Sequence, residues 1–465
     1  MGQKFKESDE GNEYVSKFEE MLKNNEVYYF KSDIYEYIIE YYLEKQKLKK
    51  ALKAVDCAIL QYPYSSDFKL YKAHILVNIG LYEEATQLID YLETFNQDEE
   101  LLILRGIILN HKGQYEEAIS YFSKIEPLVD DKESLYLNLA HSYQSLTKYD
   151  EAIEYYKKVI EINIENEDAL YELAFCLDIT NQLESSISFY EKFIDQDPFC
   201  HIAWYNLGLA YSKLNYFDKA LMAYDYATVI KEDFSSAYFN MGTIYASQEK
   251  HEDAIRCFEK VLEYEDPTAE TLCCIASCYQ KLDKLDVALN YYRKASKLEP
   301  RYADAWYGIG STLISQKKAY EALYFINKAI ELDDSVGEYY LAKADAEYLI
   351  GNFISAEENY DKASTLIPHD PDLWLNWSLI YFESGNYDKA CDTLFAGIEA
   401  LPEEADLYYR AVVYLIYAGL YKEALLYLEN ALILDFDKHV SLYEFFSEPN
   451  SYKTIFSIIE QFRKS

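Results

Sequence analysis

The chain of 465 residues carries 81 Asp and Glu against 44 Lys and Arg, a formal net charge of −37. That balance repels bare nucleic acid and anionic membrane surfaces, and it favours a basic or neutral partner. Half of the residues are apolar, with 50 Tyr and 23 Phe against only 14 Gly and 9 Pro, a composition that excludes a disordered or linker-rich chain.

Residues 1–10 are expected to fray, and residues 12–25 (NEYVSKFEEMLKNN) read as one amphipathic helix ending at Asn24–Asn25. The opening segment has no apolar run, and Lys6 stands where a myristoylation signal has Ser or Thr. No stretch approaches the roughly 18 continuous apolar residues that a membrane helix needs. Eight cysteines without paired spacing argue for a reduced, cytoplasmic protein.

From about Ser32 the chain repeats itself. Residues 201–234 and 235–268 align as two 34-residue units without a gap. With the unit's positions numbered 1 to 34, position 20 falls on Ala51, Ala85, Ala118, Ala152, Ser186, Ala220, Ala254, Ala288, Ala322, Ala356, Ala390 and Ala424, in steps of 34 except one of 33 between Ala85 and Ala118. Apolar residues at positions 4, 7, 8 and 11, and again at 17, 20, 24 and 27, give two amphipathic helices per unit. Five glycines (Gly80, Gly113, Gly351, Gly385, Gly419) stand at position 15, where the first helix should end in an unusual backbone angle. Acidic pairs such as Glu83–Glu84 and Glu116–Glu117 open the second helix, where the helix dipole favours them. Proline at position 32 (Pro63, Pro198, Pro300, Pro368, Pro402) stops it. Position 8 is small in ten units, so the two helices can approach closely; Ile39 and Val412 in the terminal units are the exceptions.

Trp204, Leu207, Gly208, Tyr211, Ala220 and Tyr224 at positions 4, 7, 8, 11, 20 and 24, with proline at 32, resemble the tetratricopeptide repeat family, in a long array of the bacterial type. The resemblance implies an all-α, right-handed solenoid of about twelve repeats. The expected organisation is an N-terminal tail and capping helix over 1–31, twelve repeats over 32–438, and a degenerate capping repeat over 439–465, broken at Pro449 and with Ile458 where alanine belongs.

Catalytic chemistry finds only fragments. Gly308-Ile309-Gly310 lies inside a helix with no strand before it, so it cannot open a phosphate loop. His251-Glu252-Asp253 lacks the second histidine of a zinc-protease motif. Cys273, Cys274 and Cys278 are the best metal candidates, but the eight cysteines scatter over the repeat as small apolar fillers do. The expectation is no enzyme, no metal and no cofactor.

The resemblance also implies that positions 2, 5, 6 and 9 of the first helices line a concave groove. Position 5 is a nearly unbroken apolar stripe from Leu70 onward, with Tyr171, Tyr205, Phe239 and Tyr307 at its aromatic stations. Such a stripe either faces the groove as a binding surface or packs against neighbouring first helices. Position 2 is acidic in nine units, Asp67 and Glu100 among them. Position 6 carries Asn138, Asn206, Asn240 and Asn376, whose amides could grip an extended main chain. The array preceding the catalytic domain of O-linked N-acetylglucosamine transferases looks similar, though here the asparagine ladder is partial. A basic carboxylate clamp is excluded, since Arg410 is the only cation at positions 2, 5 or 6.

These features predict a non-enzymatic scaffold binding, in its concave groove, a protein segment with apolar or aromatic residues flanked by Lys or Arg. The site residues are Asn138, Tyr171, Tyr205, Asn206, Phe239, Asn240, Tyr307 and Asn376. The alternative is a regulatory or structural subunit of a larger complex, self-assembling or activating an enzyme encoded elsewhere.

Overall fold

The computed structural model describes residues 9–24, 26–95, 98–442, 457 and 459–460. Among them are twenty-five α-helices, α1 (Asp9–Asn24) to α25 (Tyr421–Leu434), and no strand. The chain divides into two compact bodies, residues 1–232 and 233–465. Each is a series of antiparallel helix pairs: α2 (Ser32–Glu44) with α3 (Leu48–Gln61) through α12 (His201–Lys213) with α13 (Phe217–Ile230) in the first, and α14 (Ser235–Ser247) with α15 (His251–Tyr264) through α24 (Ala405–Tyr417) with α25 in the second. The chain is an all-α solenoid of consecutive helix pairs, as the period predicts.

The turn inside each pair is more uniform than the glycines indicate. Position 15 has positive φ in all twelve repeats: at Gly80, Gly113, Gly351, Gly385 and Gly419, and equally at Gln46, Thr147, Asn181, Asn215, Glu249, Asp283 and Lys317. The next residue's N–H reaches back five residues, as in Leu81 to Leu76 O (2.9 Å) and Lys318 to Leu313 O (2.9 Å). That is a Schellman closure of the first helix. Because the closure leads straight into the second helix, most second helices, α5 (Tyr82–Glu93) among them, have no side-chain cap; acids such as Glu83 and Glu84 then complement the exposed N–H groups.

Position 8 faces position 24 across each pair. A Cβ on Gly106, Gly208, Gly242 or Gly310 would lie 2.2–2.7 Å from Phe122, Tyr224, Phe258 or Ile326 respectively. Position 24 supplies many of the fully buried large side chains, including Tyr156, Tyr190, Tyr224 and Tyr360. Proline at position 32 has a second use: its carbonyl accepts from the position-4 aromatic of the next repeat, in Trp204 Nε1 to Pro198 O (2.9 Å), Trp306 to Pro300 (3.0 Å), Trp374 to Pro368 (2.9 Å) and Tyr408 Oη to Pro402 (3.0 Å).

The ends differ in part from expectation. Helix α1 begins at Asp9, within the stretch expected to fray, because the apolar face carried by Val15, Phe18 and Met21 is buried against Phe30, Tyr35 and Tyr42. Residues 1–8, Pro449 and Ile458 lie outside the described residues. The described part of the C-terminal segment opens as a short 3-10 helix, Asp437–Ser441.

Candidate functional site

The position-2 acids stand at the starts of the first helices, and Asp67, Glu100, Asp168, Glu270, Asp304, Glu338 and Asp372 are exposed there. Asp406 is half-buried, because Lys438 bridges it (2.7 Å) to Glu404 (3.0 Å). The apolar stripe at position 5 does not face water along its length. Ile103, Cys273 and Tyr409 are buried, and Leu70, Leu137, Leu341 and Leu375 are half-buried. The stripe thus forms the floor between adjacent first helices, and only its half-buried members show part of their side chains.

In the first body the predicted residues separate into two roles. Tyr171 on α10 (Glu167–Ile179) is the exposed one, at 38 %. Its ring meets the half-buried Tyr205 on α12 edge-on at 6.5 Å, and Tyr205 in turn leans on Tyr224 at 5.7 Å. Partial burial, with Tyr205 beside it, pushes the Tyr171 phenol up to about 12. Asn206 belongs to the interior. It is 2 % exposed, and its amide donates to Leu170 O (3.1 Å) and Tyr190 Oη (3.3 Å), so it ties two consecutive repeats instead of lining a groove. Asn138, on α8 (Lys132–Ser145), turns its amide back onto Ser134 O at 2.8 Å. Helical periodicity places both asparagines on one helix stripe; the carbonyls that accept from their amides are invisible to it.

In the second body Phe239 is half-buried against Phe258 (5.5 Å, edge-on), and Asn240 is half-buried beside it on α14. Tyr307, on α18 (Ala303–Ser315), packs on Tyr339 at 5.0 Å; burial, and then the charges of Glu338, Asp345, Asp304 and Asp370, push its phenol up to about 12. Asn376, on α22 (Pro371–Glu383), donates to both oxygens of Asp345 (3.3 and 3.5 Å), which also accepts from Tyr360 Oη at 2.5 Å. Burial pushes the Asp345 carboxyl up to about 6, against these two donors and together with the charges of Asp372 and Asp370. Asp345 occupies position 9, and the sequence analysis did not single it out; an acid at that position was its only signal.

Burial also holds the thiols of Cys273 and Cys274 up to about 12 and that of Cys278 up to about 11, so all three stay protonated at neutral pH. Among the described residues, no group of three or more His, Cys, Asp and Glu side chains is placed to hold a metal, and no helix is long and apolar enough to cross a membrane. In the first body a cleft of about 850 Å³ lies over α2, α4 (Ser66–Asn78) and the start of α6 (Glu99–His111). In the second body a smaller one of about 80 Å³ lies between Leu375, Tyr409 and Leu442.

Helix pairs of fixed period, with an acid-edged apolar floor along the first helices, define a tetratricopeptide-repeat solenoid. The sequence profile of the family described as N-terminal acetyltransferase A, auxiliary subunit, matches residues 96–393, and the chain belongs to that family. It is a protein-interaction scaffold. No curated protein matches it. Among solved structures it is similar to YrrB, described as a TPR protein with an unusual peptide-binding site (24 % identity over 40 % of this chain and 96 % of that one, TM-score 0.34). It is also similar to the APC/C hetero-tetramer Cut9–Hcn1 (14 %, 90 % and 94 %, 0.45) and to a tetratricopeptide repeat protein from Parabacteroides merdae (15 %, 54 % and 98 %, 0.43).

Proposed function

We propose that this chain is a cytoplasmic, non-catalytic auxiliary subunit: residues 32–438 form the repeat array, the flanking segments close its ends, and the first helices hold a segment of a partner protein that carries the chemistry. The observation that carries this reading is the auxiliary-subunit profile over 96–393. The half-buried aromatic floor with its edge of exposed acids supports it, since such a surface suits apolar or aromatic residues flanked by Lys or Arg. Tyr171, Tyr205, Phe239 and Tyr307 remain the contact residues of choice, whereas Asn206 serves the array itself.

The test has two arms. Purified chain, given acetyl-coenzyme A and peptides with free α-amines, should transfer no acetyl group. Tagged chain taken from its native cells should retain a defined partner that Tyr171→Glu releases while circular dichroism shows unchanged helicity. Acetyl transfer by the chain alone, or a wild-type chain that retains nothing, defeats the proposal.

A further inference from the structure

The position-2 acids Asp67 and Glu100 and the stripe residue Leu70 line one cleft at the N-terminal end of the first body. There the cleft of about 850 Å³ is floored by Leu43, Leu48, Leu70 and Tyr71, all half-buried. Its rim is Asp67, at the start of α4, with Asp98 and Glu100, at the start of α6. The lining contains no Lys or Arg; its one basic side chain, His74, lies 2.8 Å from Glu100. Tyr71 donates to Glu40 Oε1 (2.8 Å), and its phenol is held well above the ordinary value by burial, then by Glu40, Glu36 and Glu100. Several carboxylates therefore converge over an apolar floor with little positive charge to answer them. The single 33-residue step of the repeat, between Ala85 and Ala118, falls beside this cleft, where α5 has 12 residues against the 14 of α3 and α9 (Tyr149–Ile162).

We infer that this cleft is the docking subsite for a partner-protein segment in which a bulky apolar side chain adjoins Lys or Arg, the apolar group on Leu70 and Tyr71 and the cation between Asp67 and Glu100. Charge complementarity selects the occupant. A second copy of this chain brings a charge of −37 to an acidic rim, and nucleic acid or an anionic lipid surface is repelled for the same reason. The inference deepens the scaffold reading and rests on it.

The probe is a fluorescein-labelled peptide Gly-Ser-Lys-Leu-Arg-Ser-Gly, titrated into the full chain and followed by anisotropy. Both Leu70→Ser and the triple variant Asp67→Asn, Asp98→Asn, Glu100→Gln should weaken binding about tenfold or more, a loss of roughly 1.4 kcal/mol. A remote triple, Glu84→Gln, Glu116→Gln and Glu154→Gln, makes the same change in net charge on exposed second-helix positions and should leave affinity within about twofold. A photoreactive group at the peptide's leucine should cross-link the wild-type chain within residues 43–74, a readout that needs no variant to fold. Absence of peptide binding, equal weakening by the remote triple, or cross-links outside the cleft overturn the inference. If the native partner is still retained in that case, the subsite fails while the scaffold reading stands; if it is lost too, both fail.

Discussion

Position 15 shows how a single backbone angle is met by unequal residues. Seven repeats place a side chain at positive φ, Thr147 (φ 58°) being the worst suited because its branched Cβ crowds the backbone there. Thr147→Gly removes that strain at the expense of a more flexible unfolded chain, and should raise unfolding free energy by about 0.5–1 kcal/mol in urea titrations. The opposite holds at position 8. Gly242→Ala would set a Cβ 2.7 Å from the Phe258 ring, and should cost about 1–3 kcal/mol in the same assay. Asp345 adds a pH dependence. Its carboxyl, raised to about 6 chiefly by burial, keeps its proton in the folded chain where the unfolded chain has already ionised, so its contribution to stability is lost as pH rises through about 6. Between pH 5 and 7.5 the wild type should therefore lose melting temperature relative to Asp345→Asn; parallel curves for the two proteins would refute the assignment. The five glycines made five of the twelve turns legible from sequence. The strain in the other seven was not legible, because nothing in Gln46 or Lys317 by itself announces a left-handed angle.

Helix pairing was readable because period 34 and the apolar positions fix which faces meet, but the bonds between repeats depend on which carbonyl a neighbour leaves free. Proline at position 32 and tryptophan at position 4 both stood in the sequence, yet their joining by Trp306 Nε1 to Pro300 O appears only when successive pairs are stacked. Asn206 is the same lesson with the larger consequence: its helical position pointed to a groove, whereas Leu170 O and Tyr190 Oη draw it inward. Asn206→Ala should accordingly destabilise the chain by about 1–2 kcal/mol, since the buried Tyr190 hydroxyl loses the amide donor and Leu170 O keeps only the Tyr190 Oη bond (3.3 Å) of its two side-chain donors. Partner retention should be unaffected wherever the variant remains folded. A groove residue would show the reverse, weaker retention at unchanged stability, so denaturation and capture on one variant separate the two roles. The cleft over α2, α4 and α6 escaped the sequence reading for a related reason. Asp67, Leu70 and Glu100 were placed on the groove face, but Leu43, Leu48 and Asp98, which stand outside the groove positions of the repeat, complete the opening only in the folded chain.

At the scale of the whole molecule the dominant fact is the excess of 37 negative charges, which no arrangement of the described ion pairs offsets. Pairs such as Lys17–Glu13, Lys50–Glu19 and Lys260–Glu263 are solvent-exposed, where an ion pair contributes little and is easily screened. Self-repulsion among like charges, by contrast, accumulates over the entire surface and opposes folding. Raising ionic strength from about 0.01 to 0.1 M shortens the screening length from about 30 to about 10 Å, which relieves long-range repulsion more than it weakens contacts of 3–4 Å. The melting temperature should therefore rise with added sodium chloride. Affinity for a basic peptide should fall over the same range, because that attraction is drawn from the same charge. The two slopes of opposite sign are the signature to measure, by differential scanning calorimetry and anisotropy on one preparation. A melting temperature that falls with salt would mean that local ion pairs, and not net repulsion, set the electrostatic balance of the array. Peptide affinity indifferent to salt would leave the apolar floor as the sole source of binding and remove the acidic edge from the recognition mechanism.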